Sequence, residues 1–185
     1  MINQEIIEIN KLGYIYKGEQ NSLNLRNKLN AKVFILDEEL YIKEYLKTKK
    51  KEIYNIIEND IKSELNTEDY LIDFKIDKSI NITYIYAIKG GNKISKILDY
   101  IKNIEVVPIQ FQIIDFIKKE KKENTFKAII DINKKGYFIE VLNGNLINNK
   151  IYNNYNLENL SSDILIGKFD YPFNKKSFIL KEGIL

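Results

Sequence analysis

The chain has 185 residues, 44% hydrophobic and 30% charged, a composition that builds a globular core in one or two compact units. Its formal net charge of +3 is too small to imply a nucleic-acid or membrane partner by itself. It contains no cysteine and no histidine, which excludes disulfides, thiolate metal sites and Ser-His or Cys-His catalysis and leaves carboxylates, Lys, Tyr or a metal–nucleotide for any chemistry.

Residues 5–9 (EIIEI) and 14–16 (YIY) read as short strands joined across residues 10–13. Residues 19–30 are expected to form a short helix with Leu23, Leu25 and Leu29 inward, followed by a buried strand over 32–36 (KVFIL) and another over 40–46 after the acidic turn Asp37-Glu38-Glu39. Thr48 is a good N-cap, and Ile53, Ile56, Ile57, Ile61 and Leu65 then recur at three- and four-residue spacing, the stripe of an amphipathic helix that ends at Asn66 and Thr67. Period-two alternation predicts strands over 70–77 and 80–88. Gly90-Gly91 breaks the second, and Asn92 can cap a helix with Ile94, Ile97, Leu98 and Ile101 inward. A short buried strand over 104–107 is stopped by Pro108, and a helix over 110–118 buries Ile113, Ile114 and Ile117.

Residues 125–152 read as a three-strand meander. FKAIIDI is apolar nearly throughout, as in a strand buried on both faces, and Asn143-Gly144 between two β-rich runs is a strong hairpin signal. Short strands are expected at 164–166 and 177–180 around a Tyr171-Pro172 turn. The resulting order, β-β-(α)-β-β-α-β-β-α-β-α-β-β-β, is α/β. No apolar run approaches a membrane span, and the start lacks the order of a signal peptide, so a cytoplasmic protein is expected.

From residue 32 to about 152 this order resembles the PilM-type and GspL-type proteins of type IV pilus and type II secretion machines, within the actin-like ATPase superfamily. The matching stretches are residues 52–65, Asp69-Tyr70-Leu71-Ile72-Asp73-Phe74, residues 84–88 and 94–101, Val106-Val107-Pro108, Ala128-Ile129-Ile130-Asp131-Ile132 and Asn143-Gly144-Asn145-Leu146. Residues 6–18 resemble the second and third strands of that family's opening meander.

The resemblance implies an actin-like (ribonuclease H-like) mixed sheet formed by 1–31 and 90–185, with 32–89 inserted as a β-β-α-β-β subdomain and the second actin-like half missing. It also makes Asp131 the relic of a phosphate-binding turn. The family's Asp-x-Gly on an opening strand is absent from residues 1–20, and Asn133 stands at the glycine position of the second turn, where a Cβ obstructs close approach of a phosphate. No cofactor and no metal are therefore expected. The implied role is a non-catalytic scaffold that docks a membrane-anchored PilN-like assembly protein and meets the membrane only through that partner.

Other motifs have plain readings beside their functional ones. Asp131 can close a strand by bonding turn amides rather than hold magnesium, for which one ligand is too few. Lys89-Gly90-Gly91-Asn92-Lys93 lacks phosphate-loop spacing. Lys135-Gly136-Tyr137-Phe138-Ile139 begins like an RNA-binding octamer and then departs from it. The Lys runs 47–51 and 118–122 read as solvated faces, and Asp69 and Asp73, on one side of a strand, have no acid–base partner. Tyr41, Tyr45, Tyr70, Phe74, Tyr84 and Tyr86 fall on adjacent strands, where alternation sends some outward to meet a partner and packs others under the helix. An ATP-binding protein with a rebuilt site around Asp131 and a small nucleic-acid-binding domain are the alternative readings.

Overall fold

The computed structural model describes residues 4–22, 28–65, 69–132, 135–152 and 162–167. The chain divides into two compact units, Met1–Pro108 and Ile109–Leu185. The first holds a five-stranded sheet and a three-stranded one; the second holds a four-stranded sheet.

The five-stranded sheet runs β3-β2-β1-β4-β8, with β1 Glu5–Asn10, β2 Gly13–Tyr16, β3 Glu19–Gln20, β4 Leu29–Ile35 and β8 Ile101–Pro108. β1–β2 and β2–β3 are antiparallel, while β4 lies parallel to both β1 and β8. Register sets Ile7 beside Val33 and Ile9 beside Ile35. All four are at most 1% exposed, the apolar face expected of parallel strands. Burying each such side chain stabilises the fold by roughly 1.5–3 kcal/mol.

Three expectations change here. At the described ends of the helix foreseen at 19–30, Glu19–Gln20 form β3, since Lys17 and Gly18 take positive φ and turn the chain into a hairpin, and Leu29 opens β4 by pairing with Ile101. Leu23 and Leu25 lie outside the described residues. β4, expected in the inserted segment, pairs with β1 and β8 instead, because its apolar run fits between two parallel neighbours. Pro108 ends β8 inside the sheet rather than before it, as an edge strand tolerates, and the strand expected to be buried has Ile104 and Glu105 exposed because, among the described residues, only β4 lies beside it.

The three-stranded sheet, inserted in the chain between β4 and β8, runs β5-β7-β6, all antiparallel: β5 Tyr41–Leu46, β6 Tyr70–Asp77 and β7 Ile82–Lys89. Its helix is built of α1 Lys50–Ile56, a π segment Ile57–Ile61 and α2 Lys62–Glu64. The N-cap is Lys49, one residue later than Thr48, because the Glu52 carboxylate accepts the Lys49 N–H at 3.0 Å. The π segment has a cause in the sequence. Ile53, Ile57 and Ile61 recur at intervals of four, which overruns an α-helical turn by roughly 40° each time. A wider turn absorbs the excess and leaves Ile53 and Ile61 fully buried.

After β7 come α3 Gly91–Ser95 and a 3-10 turn Leu98–Tyr100. The helix expected to reach Ile101 is thus shorter, and Ile101 opens β8. In the second unit, α4 Ile109–Lys121 precedes β9 Phe126–Ile132, β10 Lys135–Leu142 and β11 Asn145–Tyr152, with β12 Ile164–Ile166 parallel to β9 on its far side. The Asn143-Gly144 turn forms as expected, both residues at positive φ. It is held by the Asn143 N–H donating to Thr125 Oγ1 and Lys118 Nζ donating to the Gly144 carbonyl. The strand expected at 177–180 and the Tyr171-Pro172 turn lie outside the described residues.

Candidate functional site

Asp131 sits near the end of β9, opposite Gly136 on β10. On the other side, β12 brings Gly167 against it: a Cβ on Gly167 would lie 2.7 Å from the Asp131 Cβ and 3.1 Å from its carbonyl oxygen. Gly167 also has φ +118, a conformation other residues rarely adopt. The Asp131 backbone is thus flanked by a glycine on β10 and by one directly after β12. Gly167 is not implicated by anything near Asp131 in sequence; its signal is a glycine directly after the apolar triplet 164–166.

Asp131 Oδ1 is closed off from solvent and has no hydrogen-bond partner among the described residues. The turn amides expected to satisfy it belong to residues 133 and 134, which lie outside the described residues. Asn133, expected where a glycine should stand, lies outside the described residues. The family resemblance of the sequence implies a magnesium–nucleotide at such a turn, and a magnesium ion takes carboxylates together with phosphates and several waters. Among the described residues the donor set for that group is thin: Asp131 Oδ1 is sealed, and no three acidic side chains gather around a common point.

The glycine pair at 90–91 is occupied from within. Asp69 accepts the Gly90 N–H on its carbonyl and the Asn92 N–H on its carboxylate, both at 2.9 Å. Gly90, with φ +134, is the cap of α3, and Asn92 lies inside the helix rather than capping it. A side chain at Gly91 would meet the Asp69 carbonyl at 3.3 Å. Lys93 donates to the Asn10 carbonyl at 2.7 Å and pairs with Glu38. Asp69 is thus a capping residue, while Asp73 is exposed on β6. In β10, Tyr137, Phe138 and Ile139 are all core residues, so the stretch 135–139 offers no exposed aromatic platform.

The six aromatic residues divide between the faces of the three-stranded sheet. Tyr41 and Tyr45 stand opposite Ala87 and Thr83, and Tyr70 and Phe74 opposite Lys89 and Ile85, so these four share one face. That face carries the helix: Tyr41 donates to Glu64 at 2.5 Å, Tyr45 to Asp60 at 3.3 Å, and Tyr54 packs edge-on to Phe74. Lys43 also donates to Glu64, and Lys89 lies over the Tyr70 ring.

Electrostatics follow these contacts. Burial, then the Glu64 bond, pushes the Tyr41 phenol up to about 12, and burial raises Tyr45. The Lys43 bond, then that of Tyr41, holds Glu64 below its ordinary range, and Lys43 is raised in return. Tyr84 and Tyr86 lie on the opposite face with stacked rings and are 1% and 4% exposed, so neither offers surface to a partner.

No family model matches the sequence, and neither does any curated protein. Solved structures do. A Bacteroides thetaiotaomicron protein with an actin-like ATPase fold and unknown function is 10% identical, with TM-score 0.50 over 90% of this chain and 82% of its own. The cytoplasmic domain of EpsL, an inner-membrane component of the Vibrio cholerae type II secretion system, is 9% identical, with TM-score 0.55 over 96% of this chain and 89% of its own. This chain has an actin-like fold. A PilM–PilN type IV pilus biogenesis complex matches at TM-score 0.53 and 8% identity over 80% of the actin-like chain. There the chain spans 57% of the length of the protein it matches. Its size is consistent with half of the full actin-like fold. Among the described residues no helix is long and apolar enough to cross a membrane.

Proposed function

We propose that this actin-like chain is a non-catalytic, cytoplasmic scaffold of a type IV pilus, competence or type II secretion machine. It lies at the inner face of the cell membrane and binds the cytoplasmic segment of an inner-membrane partner of the PilN kind. The observation that carries this reading is the likeness to both a PilM–PilN complex and the cytoplasmic domain of EpsL. The sealed Asp131 oxygen supports a pseudo-ATPase over an enzyme, since a nucleotide site needs its carboxylates and amides open to the phosphates. In domain terms, residues 1–36, which include β4, and 90–185 are the incomplete actin-like part, and the segment carrying β5, β6 and β7 is its insertion.

Within that insertion, Tyr41 and Tyr45 on β5 are the residues we assign to partner contact, being half-buried rather than buried. The test is capture from detergent-solubilised membranes with the tagged chain. Recovery of an inner-membrane protein of a pilus or secretion machine is expected, weakened by Tyr45→Ala. Recovery of no membrane protein would contradict the scaffold reading.

A further inference from the structure

The outer edge of β6 is written to pair with itself. β6 ends the three-stranded sheet and, among the described residues, has a strand partner only on its β7 side. Register with β7, together with the Gly90 N–H donating to the Asp69 carbonyl, points the odd-numbered main-chain groups of β6 inward. Those of Ile72, Phe74 and Ile76 therefore point outward. The Phe74 N–H bears this out, since it donates at 2.8 Å to the Asp73 carboxylate instead of to a strand.

We infer that a second copy of this chain adds antiparallel along β6, centred on Phe74, so that the two three-stranded sheets become one. A two-fold axis perpendicular to the sheet requires facing residues to share a face, and an axis at Phe74 satisfies this at every position. Asp73 then faces the Lys75 of the second copy, and Lys75 faces its Asp73. On the helix face Ile72 meets Ile76, and Phe74 meets Phe74.

Centring on Asp73 or on Lys75 would place like charges opposite each other, and centring on Ile72 or Ile76 would set Lys75 against Asp69 or Asp77, carboxylates that already accept the Asn92 N–H and the Ser79 N–H and hydroxyl. Asp73 and Lys75 are exposed, as a reciprocal ion pair across the axis requires. Beside the axis, Tyr54 is 64% exposed while its ring meets Phe74 at 6.2 Å and 82°. In the dimer the Tyr54–Phe74 pair of each copy lies against the other. The Phe74 N–H passes from the Asp73 carboxylate to the facing Phe74 carbonyl, which releases that carboxylate to meet Lys75.

The test is sedimentation equilibrium on the full chain and on charge swaps. The unmodified chain is expected to dimerise. Asp73→Lys sets Lys against Lys, and Lys75→Asp sets Asp against Asp, so each alone weakens association by about tenfold or more. Mixing the two single variants restores opposite charges at both positions and is expected to give a heterodimer of unmodified affinity. That recovery cannot come from an unfolded chain. A monomeric unmodified chain, single swaps that leave association intact, or a mixture that stays monomeric would each overturn the proposal. The charges would then serve only to keep the edge from pairing.

Discussion

Glu64 accepts two donors from β5, Tyr41 and Lys43, and this side chain ties α2 to the sheet. Its carboxyl is held below the ordinary 4.5, so the folded state favours the charged form. The stabilisation is therefore present above 4.5 and is lost as pH falls through the lowered value. Glu64→Gln is expected to lower the melting temperature at neutral pH, with the gap to the unmodified chain closing in acid below 4.5. Melting curves across pH check this; a gap independent of pH would contradict it.

At the end of β9, Gly167→Ala forces a Cβ into the Asp131 backbone at a positive φ, and is expected to destabilise by about 1–3 kcal/mol in urea unfolding. Asp131→Asn removes charge from a side chain with one sealed, unpartnered oxygen. It should leave stability unchanged or raise it by about 1 kcal/mol, whereas loss of stability would mean the carboxylate is bound by a group of its own. Asp131 itself is legible from the strand that carries it. Gly167 is not, because the contact joins strands far apart in the chain that meet only through the parallel β9–β12 pairing.

The helix over the three-stranded sheet was legible as a stripe, and its irregularity lies in the same residues. Ile53, Ile57 and Ile61 at intervals of four ask for more than 3.6 residues per turn, and the chain answers with a π segment. Truncating a residue at either end of this stripe is expected to be costly. Ile53→Ala or Ile61→Ala should lose about 2–5 kcal/mol, measured by denaturant unfolding, since both are fully buried. The six aromatic residues show where strand alternation stops informing. It separates Tyr84 and Tyr86 from the other four, but cannot tell that both faces of the central strand β7 are buried. The departure at residues 19–20 has a similar origin: leucine spacing said nothing of Lys17 and Gly18, whose positive φ turns the chain into β3.

For the whole molecule, the order of strands and helices carried the α/β class and the actin-like resemblance, and the structural matches agree on that fold. Sheet membership was less accessible. β4 is continuous in sequence with the segment that follows it, yet pairs with β1 and β8, because parallel partners are chosen by buried apolar faces rather than by proximity along the chain. The central claim is that this fold serves as a scaffold without nucleotide chemistry. Titration calorimetry of the folded chain with Mg-ATP tests it most directly. No saturable heat is expected, whereas tight, stoichiometric binding would contradict the account and return Asp131 to a phosphate-binding role.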